Sequence, residues 1–290
     1  MRSYHEITGD GGSAVVDQVA ARRDRIRENL AGVRFRVAVA SGKGGVGKST
    51  LTWQLASALA EAGRPVAVLD ADFNGPTQAR LAGLRDALLV PGERGLLVPR
   101  APAGPGVVSL GSLVPETESL EFESVAAGDS HTWRATREFT LLGELLGSVE
   151  WGRLDVLLID LPPGAERSFQ YAEFLGPETG FVLVSIPSEL ARGVVSRSVA
   201  ALRRTPNRLL GYVENMKGYY CEDCGTVRPL FPEPDGGALD LPCLGSVPFD
   251  PHLARLCDRG ERWPAGAAGP AVGALREIAA RLIAALETDR

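Results

Sequence analysis

The segment from Ser41 to Thr50, SGKGGVGKST, constrains the fold of this chain more than any other feature. The apolar run FRVAVA before it predicts a buried strand, and LTWQLASALA after it predicts a helix. Gly42, Gly47, Lys48 and Ser49 match G-x-x-x-x-G-K-[ST], in which backbone N–H groups surround phosphate oxygens and the lysine reaches the outer phosphates. A strand, a phosphate loop and a helix in this order predict a nucleotide-binding α/β fold.

We expect the whole loop to contact the nucleotide, because the N-terminus of the following helix adds its dipole to the phosphate site. The Ser49 hydroxyl is of the kind that phosphate loops use as a ligand for Mg²⁺. The loop residues predicted to bind ATP are Gly42, Lys43, Gly44, Gly45, Val46, Gly47, Lys48, Ser49 and Thr50.

Further apolar runs of strand length predict the rest of the sheet. PVAVLD ends at Asp70, shortly before Asp72, DVLLID ends at Asp160, and GFVLVSI and RLLGYVEN follow. Helical patterns between these runs predict a doubly wound, mainly parallel sheet with helices on both faces. Carboxylates that end parallel strands lie where such sheets bind ligands. We predict a helical extension over 1–33 and one domain over 34–290, with a Cys-x-x-Cys knuckle inserted near 217–240.

Composition argues against two classes of partner. The chain has 290 residues and a net charge of −5, so no overall basic field attracts nucleic acid or anionic lipid. No apolar run approaches the ~20 residues that span a bilayer, and we expect a cytoplasmic protein without membrane or nucleic-acid partners. The segment 81–134 is rich in Pro and Gly and predicts a surface excursion. It carries an acidic patch formed by Glu116, Glu118, Glu121 and Glu123.

The sequence CEDCG places Cys221 and Cys224 in a tight turn with two thiolates. Two ligands cannot complete a four-coordinate site, so three interpretations stay open. A symmetric dimer would supply the four thiolates of a [4Fe–4S] cluster, Cys243 and Cys257 would complete a zinc site within one chain, or the pair would form a redox disulfide. We assign Cys243 and Cys257 to packing.

Five motifs follow one another along the chain: SGKGGVGKST, DADFNGPT, WGRLDVLLIDLPPG, ENMKGYYCEDCG and LGSVPFDP. This ordered series resembles the Mrp/ApbC-like ATPases, which carry iron–sulfur clusters. A lysine directly after the first glycine, Lys43, also resembles the deviant phosphate loop of the wider MinD/ParA/Mrp class of dimeric P-loop NTPases. The resemblance implies a homodimer that uses ATP and Mg²⁺, holds a [4Fe–4S] cluster at its interface and transfers it to apoproteins.

The resemblance also implies residue roles. Lys43 would cross the dimer interface to the partner's nucleotide, and with Lys48 and Asp72 it would form the catalytic set. Asp72 would orient the attacking water or hold Mg²⁺ through water, and Asp160 would be the Walker-B-like acid at the Mg²⁺ site. Asn215 and the backbone at Pro248 would contact the adenine.

One departure from the family concerns the switch loop Pro162–Gly164. Family members commonly continue this loop with Thr-Gly-Asp, whereas this chain has Ala165, Glu166 and Arg167, and we expect slow hydrolysis. Two alternatives remain: a ParA/MinD-like positioning switch, and a zinc-stabilised, nucleotide-gated scaffold with little hydrolysis. The acidic composition and the cysteine pair favour the carrier over the switch.

Overall fold

Strands and helices alternate along the computed structural model, which describes residues 15–101, 104–113, 131–232 and 239–288. The predicted acidic patch at 116–123 lies outside these ranges. The helices are α1 (Val15–Asn29), α2 (Lys48–Glu61), α3 (Gln78–Leu81), α4 (His131–Ser148), α5 (Ala165–Leu175), α6 (Glu189–Leu202), α7 (Pro251–Arg259) and α8 (Pro270–Glu287). The strands are β1 (Val33–Ser41), β2 (Val66–Asp70), β3 (Val90–Pro91), β4 (Leu96–Leu97), β5 (Gly106–Val108), β6 (Val149–Glu150), β7 (Leu154–Asp160), β8 (Thr179–Ser185), β9 (Leu209–Cys221), β10 (Thr226–Pro229) and β11 (Cys243–Phe249).

The main sheet has the strand order β10-β9-β8-β1-β7-β2-β5, and β11 pairs with β9. β1 lies in the middle, where Val37 is opposite Leu158 of β7 and Gly180 of β8 in parallel register. Every pair in this sheet is parallel except β9 with β10. The strands β3, β4 and β6 form a small second sheet. The predicted doubly wound, mainly parallel architecture is confirmed.

The core forms two layers, because successive side chains of a strand point to opposite faces of the sheet. On β1, Val37 and Val39 pack with residues of α2 and α8. Ala38 and Ala40 pack with residues of α4, α5 and α6 on the other face. The small alanines let those helices approach the sheet closely. Burial of both faces explains why the central strands are apolar throughout.

Helix α1 is attached to the α4 face of the sheet. Its Ile26 and the following Leu30 pack into that layer. Arg25 pairs with Glu144 of α4 at 2.9 Å, and the Asn29 amide donates to two backbone carbonyls, both at 2.7 Å. The division between an extension and a domain at residue 33 stays a prediction.

Strand β9 is longer than the apolar run RLLGYVEN indicates, since it continues to Cys221. It does so because β11 pairs along it in parallel and β10 pairs antiparallel with its last residues. Met216 interrupts the regular geometry with a φ of 54°, close to a register shift in the pairing with β11. The cysteine pair therefore lies at the tip of a β-hairpin that extends the sheet.

In the described part of the chain, no helix combines the length and the apolar character that crossing a bilayer requires.

Candidate nucleotide site and cysteine hairpin

The phosphate loop lines a cleft of about 440 Å³ at the C-terminal edge of β1. Every residue from Lys43 to Thr50 lines this cleft, and Asp72 joins it from the loop after β2. Gly42 lies against α6, where an added Cβ would approach Val194 Cγ1 to 2.6 Å. Gly47 has a φ of 76°, and a Cβ there would lie 2.4 Å from the side chain of Asn215. Both ends of the loop thus require glycine.

A buried ion pair forms the floor of the cleft. Lys48, which is 6% exposed, donates to Asp160 Oδ1, and the Asp160 side chain is fully buried. The Lys48 ammonium also lies 3.2 Å from Ser49 Oγ. These contacts bring together the lysine, the hydroxyl and the acid that the sequence predicts to meet around the outer phosphates.

Gln78 is a site residue that the sequence analysis missed. Its amide nitrogen donates to Asp160 Oδ2 at 2.8 Å and to the Ser49 carbonyl at 2.9 Å. Gln78 therefore ties the acid of β7 to the start of α2, and its side chain is buried. It begins the short helix α3, and no motif spacing distinguishes it from other glutamines.

Asp70 organises the loop that presents Asp72. Its carboxylate accepts hydrogen bonds from Asp72 N (3.2 Å), Thr77 N (2.8 Å), Gln78 N (3.0 Å) and Ser109 Oγ (3.1 Å). Burial, and next the negative charge of Asp160, raise the pKa of Asp70 to about 7. Asp70 thus fixes the backbone of the loop after β2, and Asp72 is the carboxylate of this loop that lines the cleft.

The switch loop enters the cleft through Pro163, and the residues that replace Thr-Gly-Asp form the first turn of α5. Arg167 in this turn pairs with Glu138 of α4, and its guanidinium lies 5.4 Å from the ring centre of Tyr171. Glu138 in turn accepts a hydrogen bond from Asn74 Nδ2 at 3.2 Å. The switch loop is therefore linked through α4 to the loop that carries Asp72.

A second cavity of about 160 Å³ adjoins the cleft and includes Asn215 and Pro248 in its walls. The two cavities share Gly47 and Thr50 as lining residues, so one ligand can extend through both. Asn215 Nδ2 donates to the Val46 carbonyl at 2.9 Å. This bond uses one of the two amide hydrogens, so the amide oxygen can accept and the second N–H can donate a hydrogen bond to a base.

Cys221 and Cys224 flank the tip of the β9–β10 hairpin. The turn is closed by a hydrogen bond from Gly225 N to the Cys221 carbonyl at 2.9 Å, and Gly225 has a φ of 66°. Cys224 is exposed, and its sulfur lies 3.0 Å from Thr226 Oγ1 and 3.6 Å from Arg228 Nη2. Hydrogen bonds from Thr226, then from Cys221 and Arg228, lower the pKa of Cys224 to about 6. A thiolate suited to binding metal results.

The other two cysteines lie apart from the pair. Cys257 is buried as predicted, and its burial raises the pKa of the thiol to about 11. The prediction that Cys243 packs is wrong, because it begins β11 with an exposed side chain. Cys243 pairs with Tyr212, which lies nine residues along β9 from Cys221. Across the described ranges, no three His, Cys, Asp or Glu side chains converge as metal ligands.

Comparisons with known sequences agree on one family. The model of the family described as the NUBPL iron-transfer P-loop NTPase matches residues 32–283. The chain is 34% identical to the iron-sulfur cluster carrier protein of Saccharolobus solfataricus, covering 85% of this chain and 82% of that protein. It is also 34% identical to the human cytosolic Fe-S cluster assembly factor NUBP2, covering 88% of this chain and 94% of that protein.

Solved structures show the same architecture. A nucleotide-binding protein from Archaeoglobus fulgidus, solved in complex with ADP, superposes with a TM-score of 0.70 at 34% identity, covering 86% of this chain and 95% of that one. The septum site-determining protein MinD from Pyrococcus horikoshii, complexed with Mg-ADP, gives a TM-score of 0.61 at 21% identity, covering 89% and 100%. The second likeness concerns the fold alone.

Proposed function

The chain belongs to the NUBPL family of iron-transfer P-loop NTPases, and from this premise we propose that it is an ATP-dependent iron–sulfur cluster carrier. In the proposal a homodimer holds one [4Fe–4S] cluster and transfers it to apoproteins in the cytoplasm. The observation that carries the proposal is the position of Cys221 and Cys224 at a solvent-facing hairpin tip, away from the other cysteines. Relatives named as cluster carriers and cytosolic assembly factors support it.

The cluster is the cargo, and its stoichiometry follows from counting thiolates. Each chain offers one pair at its hairpin tip, and a [4Fe–4S] cluster takes four cysteines. Cys243 is separated from the pair along β9, and Cys257 faces the nucleotide cleft from α7. A second copy of the chain, related by a two-fold axis, supplies the missing two thiolates. The zinc alternative within one chain has no such support from the described cysteines.

ATP is the substrate that the cleft fits. The phosphates would lie on the backbone N–H groups of the loop, and Lys48 would exchange its bond to Asp160 for the outer phosphates. The adenine would enter the adjoining cavity, between Pro248 and the amide oxygen of Asn215. Ser49, Asp72 and Asp160 offer one hydroxyl and two carboxylates, the hard oxygen donors that suit Mg²⁺. Bound there, the ion neutralises charge on the phosphate oxygens.

Hydrolysis transfers the γ-phosphoryl group to water, and positioning matters more than a strong base. The water oxygen forms the new bond to phosphorus while the bond to the β-phosphate oxygen breaks, releasing ADP and phosphate. Asp72 orients this water. Lys43, half-buried on the cleft wall, completes the partner's site across the dimer. Arg167 is held by Glu138 rather than in the cleft, which supports slow turnover.

Anaerobic reconstitution with iron and sulfide tests the proposal. We expect a brown dimer with one four-iron cluster per two chains, measured by absorbance, metal analysis and light scattering. Cys221→Ala or Cys224→Ala should abolish the colour, whereas Cys257→Ala should retain it because that thiol is buried away from the hairpin. A colourless protein that holds zinc and refuses iron would overturn the carrier function and leave the nucleotide site standing.

A further inference from the structure

Two side chains of β10 lie on the cysteine face of the hairpin. In the antiparallel register, Thr226 is opposite Cys221 and Arg228 is opposite Tyr219. Residues directly opposite each other in such a pair point to the same face of the sheet. Both side chains also contact Cys224, with Thr226 Oγ1 at 3.0 Å and Arg228 Nη2 at 3.6 Å from its sulfur. The register thus places a hydroxyl and a guanidinium around one thiol of the pair.

The charges around the hairpin tip distinguish Arg228 from its neighbours. Glu222, between the cysteines, pairs with Arg255 of α7 at 2.6 Å, so these two charges offset each other. Asp223 is an exposed carboxylate that adds negative charge to the tip. The guanidinium of Arg228, in contrast, donates to the sulfur of Cys224.

A cluster bound by four thiolates would make this negative charge larger. An oxidised [4Fe–4S] core has a charge of about +2, so with four thiolates the whole cluster carries about −2. Net charge and hydrogen bonds to the sulfurs set the reduction potential of such clusters. Two copies of the chain contribute two Arg228 side chains, whose combined charge of about +2 would offset the charge of about −2 on the cluster and its thiolates. Outer-shell groups of this kind orient ligands and tune the bound metal.

We propose that Arg228, assisted by Thr226, is the positioning residue that holds Cys224 in its metal-binding orientation and offsets the negative charge of the cluster. The inference rests on the proposed function, and it assigns cluster retention to a residue outside the C-x-x-C pair. Loss of an outer-shell partner typically weakens metal binding by 10–100-fold. Arg228→Gln should therefore release the cluster roughly tenfold faster.

The experiment compares reconstituted wild type with Arg228→Gln, Arg228→Lys and Thr226→Val. Cluster loss to a chelator is followed by absorbance, and the midpoint potential is measured by redox titration. Arg228→Gln should lose the cluster faster and shift its potential to more negative values, because a positive charge beside the cluster is gone. Arg228→Lys should restore part of both properties, and Thr226→Val should show a smaller loss of retention.

Arg203→Gln is the matched control, since Arg203 is an exposed arginine that pairs with Asp240 away from the hairpin. It should leave both the chelation rate and the potential unchanged. ATP affinity should be equal in all variants, which excludes misfolding as the cause. A brown wild type with an Arg228→Gln variant of equal retention and potential would overturn this inference alone. A wild type that takes no cluster would overturn the proposed function and this inference with it.

Discussion

The ion pair between Lys48 and Asp160 makes the lysine of the phosphate loop part of the folded core. Replacing Lys48 with Met would leave Asp160 fully buried, with Gln78 at 2.8 Å and a long contact to Thr52 at 3.5 Å. Removing one partner of a buried pair costs about 3–5 kcal/mol, because the remaining charge is uncompensated. For a large domain, a loss of ~3 kcal/mol lowers Tm by roughly 6–12 °C. We expect this drop in Lys48→Met without nucleotide.

A double-mutant cycle separates the ion pair from other effects of the substitution. Asp160→Asn removes the buried charge, so Lys48→Met with Asp160→Asn should be more stable than Lys48→Met alone. The measurement is thermal and urea unfolding of the nucleotide-free protein. Lys43→Met is the control within the same loop, because Lys43 lies on the cleft wall rather than in the core, and its Tm should match the wild type.

Calorimetry with ATP tests the phosphate site separately from stability. We expect Lys48→Met to lose measurable ATP binding whether or not Asp160 is also replaced. A Lys48→Met protein with the wild-type Tm would refute the argument that the pair stabilises the empty cleft. Undiminished ATP affinity in the same variant would refute the assignment of the phosphate site.

Three further predictions concern the same site. Lys43→Ala should keep ATP affinity but lower phosphate release, and normal turnover would make Lys43 an ordinary surface cation. Asn215→Ala should weaken ATP binding about tenfold by calorimetry, since a hydrogen bond to the loop and one to the base are lost; unchanged affinity would contradict this role. The folded-state pKa of Asp70, about 7, lies above its ordinary value of 3.8, so its contribution to stability is complete below pH 3.8 and is lost as the pH rises through 7. Asp160→Asn removes one cause of the raised pKa and should flatten this decline in urea unfolding between pH 5 and 8, and an equally steep decline would contradict the coupling.

The sequence predicts those parts of the site that depend on local geometry. The phosphate loop is contiguous, and Asp160 ends an apolar strand, so both lie at the C-terminal ends of parallel strands, and the direct pairing of β7 with β1 brings them together. Asn215 likewise lies on a strand beside β8, and its contact with the loop follows from the strand order.

Other features depend on contacts between separate elements, on turn geometry or on where a strand begins, and hydrophobic periodicity does not reveal these. Gln78 reaches Asp160 because α3, which follows β2, begins beside the C-terminal end of β7. The contact between Arg228 and Cys224 depends on the turn and pairing of β9 with β10. The sequence predicts that Cys243, beside LGSVPFD, packs, whereas β11 begins with that side chain exposed. Gln78 and Asp160 are far apart in sequence, Arg228 and Cys224 are only four residues apart but meet through a hairpin turn, and Cys243 lies at the end of an element.

Strand β9 has a mechanical consequence. Between Asn215 and Tyr219, four residues of β9 lie opposite two residues of β11, so the segment from Asn215 to Cys221 spans about 13 Å at ~3.3 Å per residue. Pairing with β11 and β10 stiffens it. Met216, with its φ of 54°, lies at the end of this segment that is farther from Cys221, in the wall of the second cavity. A tilt of ~5° at this point displaces the tip of a ~13 Å segment by about 1 Å, roughly twice the ~0.5 Å tolerance of a preorganised ligand set. In the proposed dimer, two such hairpins would face each other across a two-fold axis. Small angular changes beside the base cavity would then alter the spacing of the four thiolates.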